Sequence, residues 1–228
     1  MSEAEISAPE RRGWRRAAGK LGIHVMRGSL AVSPRPMTLL LRREFEKFGA
    51  SRADRLRSRA PQSIQVTRDK IYGPHPDCRL DVYVPRDAAP AGHRLPVLMW
   101  VHGGAFIGGS KDEIDYYFRA VAASGFCVIA ISYSLAPEST YPTPVRQALA
   151  ALDHILTHAA RLHADPTRIL LAGDSAGSHI SAQIAAAITN PQYARKIGVD
   201  RRSRPTSRVP SCCAAASTTS SPPPPTRR

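Results

Sequence analysis

Apolar runs and helically spaced apolar stripes take turns along this chain. Ile64, Val66 and then Ile71-Tyr72 alternate with polar neighbours, and residues 80–84 (Leu-Asp-Val-Tyr-Val) do the same. Such alternation predicts a leading antiparallel pair with one face half exposed. Residues 97–101 (Val-Leu-Met-Trp-Val), 126–131 and 169–172 are continuously apolar, as strands covered on both faces are. Between them, Ser110 to Glu113 reads as a capping box that opens a helix to about residue 124, closed by Gly125. Thr143 and Pro144 start a second helix, with Val145, Leu149, Leu152, Ile155/Leu156 and Ala159 on one face. Asp165-Pro166 reads as a turn, and a third helix runs from Ala176 to Ile188 with Ile180, Ile184 and Ile188 as its inward stripe. Strand alternating with helix predicts an α/β fold, a doubly wound, mostly parallel sheet with ligands above the carboxyl ends of its strands. Ahead of this core, residues 37–48 place Leu40, Leu41, Phe45 and Phe48 near helical spacing, with Pro34 and Pro36 suited to a helix start.

The chain has 228 residues, enough for one domain with a real core, and a net charge of +14. The charge is not spread evenly. Residues 1–60 hold 14 Lys/Arg against 6 Asp/Glu, residues 61–200 hold 12 against 12, and residues 201–228 hold 6 against none. The excess therefore sits at the two ends, and nothing in the neutral centre matches a nucleic-acid-binding motif, so no nucleic-acid partner is expected. Three segments follow: a basic, partly helical segment over 1–60, a core over 61–200, and an Arg/Ser/Pro-rich disordered tail over 201–228. Cys127 lies in an apolar strand and Cys78 near a strand start, while Cys212 and Cys213 are adjacent, which makes no disulfide framework and no metal-ligand spacing. His154 and His158 are one helical turn apart without a third ligand. No metal and no cofactor are expected. No signal-peptide pattern and no membrane-length apolar run is present, so the expected location is cytoplasmic.

The chemistry gathers at Gly173-Asp174-Ser175-Ala176-Gly177, directly after the apolar run at 169–172 and directly before a helix. This is the Gly-x-Ser-x-Gly nucleophile elbow in its strand–turn–helix setting, with Ser175 as the candidate nucleophile. Gly173 and Gly177 are read as the positions where a side chain would collide in the tight turn. Upstream, the strand at 97–101 runs into His102-Gly103-Gly104-Ala105-Phe106. Backbone N–H groups of Gly103 and Gly104, with that of Ala176, are the candidate oxyanion donors. Between the two lies Tyr133-Ser134-Leu135-Ala136-Pro137-Glu138.

Taken in this order, the three motifs resemble those of the α/β-hydrolase fold, and specifically the hormone-sensitive-lipase-like carboxylesterases and lipases, over roughly residues 61–200. Ala105 departs from that pattern where a third glycine is usual, and Ser134 where arginine is usual. The resemblance implies hydrolysis of a small-molecule carboxylic ester through a Ser175 acyl-enzyme. It also implies that His102 supports the oxyanion loop and that Asp174 is a feature of the motif without being the triad acid. N-terminal helices in this family form part of a cap over the active site, which is one role for residues 1–60. Peripheral contact with an anionic membrane surface, or a poorly ordered arm, are the others.

A serine hydroxyl needs a histidine to take its proton and a carboxylate to orient that histidine, and in this fold both follow the serine. After Ser175 the chain offers only His179 and Asp200. His179, one turn into the helix, is expected to pack beside the elbow. Residues 201–228 contain no Leu, Ile or aromatic residue. Shifting their codons by one base turns Ser211 to Cys213 into an apolar run and allows a Tyr-Asp turn shortly after, so the tail is read as a shifted frame of a C-terminally truncated member. Two consequences are expected: an exposed apolar edge on the strand at 169–172, which favours aggregation, and little or no activity. A non-catalytic binding or scaffold protein, using its basic termini on anionic membrane or nucleic acid, is the alternative function.

Overall fold

Strands that are apolar at every position stand at the centre of the sheet, and the half-polar strands stand at one side of it. The computed structural model describes residues 35–57, 60–88 and 94–199. Five strands form one sheet: β1 (Ile64–Ile71), β2 (Arg79–Pro85), β3 (Leu95–Val101), β4 (Cys127–Ile131) and β5 (Ala164–Gly173). Their spatial order is β1-β2-β4-β3-β5. β2 pairs antiparallel with both β1 and β4, while β3 runs parallel to β4 and β5. The leading antiparallel pair and the parallel centre are therefore both present, but the half-exposed face expected of the pair belongs to β1 alone: Leu80 to Val84 of β2 are buried at every position, because the core covers both faces of that strand. Among the described residues β5 pairs only with β3, although Ile169 and Leu171 are each buried to 1% exposure by the helices over them.

Six helical segments accompany the sheet: α1 (Arg35–Arg57), α2 (Asp115–Ala123), α3 (Thr143–Thr157), a 3₁₀ turn (Ala159–Leu162), α4 (Ala176–Thr189) and α5 (Pro191–Lys196). Side chains alternate across the strands with period two. Val97, Met99 and Val101 join Ile129, Ile131, Ile169 and Leu171 on one face, against Val145, Leu149, Leu152 and Ile155 of α3 and Ile180 and Ile184 of α4. Leu98, Trp100, Val128 and Ala130 face the other way, against Phe118 and Ala122 of α2. α4 shows what holds such a helix. It carries Gly177, Ser178, His179, Ser181 and Thr189, all weak helix formers. Complete burial of Ile180 and Ile184, worth roughly 2 kcal/mol each, outweighs that deficit.

Local sequence signals were overridden in three places. The capping box at Ser110–Glu113 does not open a helix: α2 begins at Asp115, after Ile114, whose side chain caps nothing. Ser110 Oγ instead accepts the Asp112 N–H at 3.1 Å, and Lys111 turns inward to Asp81 on β2, Nζ to Oδ1 2.9 Å. A buried carboxylate demands a partner, and that demand exceeds the value of a cap. Second, the period-two alternation does not run unbroken through β1. Its register slips between Thr67 and Lys70, where Asp69 takes φ 54° and donates its N–H to Asp81 at 2.8 Å. Third, the Asp165-Pro166 turn lies inside β5 as a bulge, with Asp165 Oδ1 accepting the Thr167 N–H at 2.9 Å.

The short α5 was not anticipated, yet its signal is present. Asn190 caps it by accepting the N–H groups of Gln192 and Tyr193 at 3.0 and 3.1 Å, and Pro191 occupies the first helical position. Gly125 follows α2 at φ 91°, as a closing glycine does. Expectations for residues 1–34, for Asp200, and for the tail at 201–228 with its shifted frame lie outside the described residues. No helix among those described is long and apolar enough to cross a membrane.

Candidate active site

β5 ends at Gly173 and α4 begins at Ala176, leaving two residues for the reversal. Ser175 makes it by taking φ 47° and ψ −115°, a conformation an L-residue adopts only when its surroundings enforce it. Here they do. A Cβ on Gly173 would lie 2.5 Å from the Val101 carbonyl oxygen, and one on Gly177 would lie 2.0 Å from the same atom. Backbone meets backbone, with β3 pressed into the turn. The Ser175 side chain is exposed. Ala176 opens α4, so its N–H has no partner within the helix.

Asp174 ties the turn to the loop after β3. Its Oδ1 accepts the Gly103 N–H at 2.8 Å, and a Cβ on Gly103 would sit 2.4 Å from its Oδ2. Asp174 thus holds the hydrogen of Gly103, one of the three expected oxyanion donors, and the absence of a side chain on Gly103 lets the two loops approach closely. The loop then turns through Gly104 at φ 109°, Ala105 at 53° and Phe106 at 63°. The Gly104 carbonyl accepts the N–H groups of Ile107 and Gly108 at 3.0 and 2.9 Å. None of the hydrogen bonds among the described residues uses the N–H of Gly104 or Ala105, which leaves these with Ala176 as available donors.

His102 lies beneath the loop. Its ring stacks on Tyr133 at 4.3 Å between centroids and 14° between planes, and the Tyr133 hydroxyl donates to the His102 carbonyl at 2.8 Å. Nδ1 is 2.8 Å from the Gly103 carbonyl, so that nitrogen carries the proton. Burial pushes His102 below the usual histidine value, and the ring is neutral near pH 7. Ser134 forms a closed pair with Gln147: its N–H donates to Oε1 at 2.7 Å, and Nε2 donates back to its hydroxyl at 2.8 Å.

His179 is exposed, and its N–H donates to the Ser175 carbonyl at 3.2 Å. Among the described residues no imidazole hydrogen-bonds the Ser175 hydroxyl. His154 and His158 approach to 4.2 Å between ring centroids, and no group of three metal-binding side chains occurs among the described residues. Cys78 and Cys127 are buried free thiols. Burial pushes Cys127 up to about 12, which makes it inert.

Two contributors were not read from the sequence. Arg42 of α1 hydrogen-bonds the Ala136 carbonyl at 2.8 Å and pairs with Glu138. Phe45, one turn later, lies where a Cβ on Gly108 would be 2.9 Å from its ring. The apolar stripe of residues 37–48 pointed to Phe45. Arg42, three residues earlier on the same helix face, could have been sought beside it. A cleft of about 540 Å³ opens here, with Arg42, His102, Lys111, Tyr133, Leu135 and Glu138 in its wall and Ser175 outside it.

The mixed sheet, the helices on both of its faces and the serine at a strand–helix turn define an α/β-hydrolase fold. The family model described as alpha/beta hydrolase fold matches residues 98–200. Over part of its length the chain is similar to carboxylesterases. Carboxylesterase NlhH of Mycobacterium tuberculosis is 42% identical over 105 residues, which are 46% of this chain and 31% of that protein. Esterase LipI of the same organism is 37% identical over 139 residues, 54% of this chain and 41% of that one. Among solved structures, a hyperthermophilic esterase from the archaeon Pyrobaculum calidifontis superposes with a TM-score of 0.56 at 30% identity, covering 71% of this chain and 48% of that one. The chain spans less than half the length of the curated relatives it matches.

Proposed function

We propose that this chain carries the nucleophile and oxyanion half of a carboxylic ester hydrolase, acting on small-molecule esters through a Ser175 acyl-enzyme. The observation that carries the reading is the juxtaposition at the elbow. An exposed serine at positive φ stands at a turn that its neighbour Asp174 ties to the oxyanion loop through the Gly103 N–H at 2.8 Å; in this reading the N–H groups of Gly104 and Ala176 serve its oxyanion. Carboxylesterase relatives support the substrate class. Ser175 attacks the ester carbonyl carbon, the carbonyl oxygen takes the negative charge toward those N–H groups, and the alcohol leaves as the acyl-enzyme forms; water then releases the acid. Proton transfer requires a histidine and its carboxylate from outside the described residues. Residues 61–200 form the hydrolase core in this reading, and α1 is a piece of the cap, supported by its contacts with the loop.

A polypeptide of residues 1–228 is expected to turn over on the order of 10⁶-fold below a complete enzyme. Short-chain chromogenic ester hydrolysis, with and without added imidazole and against Ser175→Ala, tests this. Ser175-dependent hydrolysis that imidazole accelerates is the expected result. Ordinary rates without imidazole would overturn the impairment. Absence of any Ser175-dependent hydrolysis in folded protein with imidazole present would overturn the esterase reading.

A further inference from the structure

We infer that Arg42 is a positioning residue for the oxyanion loop, a clamp supplied by α1 to a site built from β3, β5 and α4. The inference rests on the functional reading above for its kinetic consequence, though not for its structural one.

The loop needs a clamp. Gly104, Ala105 and Phe106 follow one another at positive φ, and such a run persists only when its surroundings over-determine it. From inside, the Gly104 carbonyl gathers the Ile107 and Gly108 N–H groups. That leaves the carbonyls of Phe106 and Ile107 to be met from outside. The Ala136 N–H donates to Phe106 at 2.8 Å, and Arg42 Nε donates to Ile107 at 2.5 Å. Arg42 Nη2 also donates to the Ala136 carbonyl at 2.8 Å. One guanidinium thus binds the oxyanion loop and the 133–138 loop to each other.

Glu138 holds that guanidinium with both oxygens, at 3.0 and 2.5 Å. Phe45 covers Gly108 one turn further along α1. The geometry asks for arginine in particular. Four acceptors on three residues lie around one planar fork, which a lysine ammonium cannot serve together. If the clamp opens, the Gly104 N–H shifts relative to Ser175, and a displacement of about 1 Å at a reacting centre costs on the order of 10²-fold in rate.

Amide hydrogen exchange on the full chain tests this without reference to activity. Arg42→Ala is expected to speed exchange at Ile107, Gly108 and Ala136 by roughly tenfold, the equivalent of one lost hydrogen bond to a charged group, while the amides of β3 and β4 keep their protection. Arg42→Lys is expected to restore little of it. Glu138→Gln, exposed and outside the oxyanion loop, is expected to give a smaller rise at the same three amides and decides the matter should Arg42→Ala not fold. Unchanged exchange there overturns the inference, and so does loss of protection throughout the sheet, which would make Arg42 a fold residue only. Where Ser175-dependent hydrolysis is seen, with imidazole if needed, Arg42→Ala is expected to lower kcat about 10²-fold and leave KM nearly unchanged. A KM effect alone also overturns it. If the parent chain hydrolyses no ester even with imidazole, the functional reading falls and the exchange data still decide the role of Arg42.

Discussion

Two junctions of this molecule hold their loops by opposite means. At the elbow, β3, β5 and α4 meet with no side chains between them: Gly173 and Gly177 let the Val101 carbonyl press directly on the turn. At the other side of the sheet, β1, β2 and the segment leading into α2 meet through charge. Asp81 is fully buried in β2 and accepts from Arg68 Nη1 at 2.6 Å, Lys111 Nζ at 2.9 Å and the Asp69 N–H at 2.8 Å. Lys111 reaches Asp69 and Asp112 at 3.0 and 3.1 Å, and Arg68 reaches Asp115. Burial alone would lower the Lys111 pKa, but its hydrogen bonds to Asp81 and Asp69 raise it above the usual lysine value. Likewise, burial pushes Asp115 up, and Arg119 and Arg68 more than reverse that. The glycine junction has one solution and no reserve. The charged junction shares its load among several pairs, so it should weaken by degrees.

Gly177→Ala should separate the two most sharply. The new Cβ meets backbone at 2.0 Å, and a cost of about 3 kcal/mol, at the upper end of ordinary overpacking, is expected in urea unfolding. Asp81→Asn should cost about 2 kcal/mol, because Lys111 keeps Asp69 and Asp112 while one buried charge loses its partner. Adding Lys111→Met to it should cost less than the two single changes summed. A larger loss from Asp81→Asn than from Gly177→Ala would reverse the comparison.

The smallest effect concerns pH. Burial lowers His102, so on acidification the unfolded chain takes the proton first. Stability from this group is whole above the ordinary histidine value of about 6.5 and is lost as pH falls below it. His154 is lowered too, by burial first and then by His158 and Lys70, and adds in the same direction. Unfolding free energies at pH 7.5 and 5.5 should show this decline, with a shallower slope in His102→Gln. Equal slopes would place the whole effect on other groups.

Much of this was legible from residue order. Alternation in residues 80–84, the apolar runs at 97–101 and 169–172, and the stripe Ile180–Ile184–Ile188 located strands and helices, because burial on one or two faces leaves periodic marks. Gly173-Asp174-Ser175-Ala176-Gly177 marked the tight strand–helix turn, because that turn admits few side chains. The partners of polar groups were not legible. That Asp174 takes the Gly103 N–H, that Lys111 abandons a capping box for Asp81, and that Arg42 reaches the 133–138 loop all depend on approaches between residues far apart in the chain.

Local pattern therefore determined which segments are strands, which are helices and where the exposed serine of the strand–helix turn stands, since periodicity and glycine placement act over a few residues. Only the packed sheet decided which N–H groups of the loop after β3 are taken and which charges pair, because a hydrogen or a buried charge goes to whichever distant acceptor the tertiary fold brings within three ångströms of it.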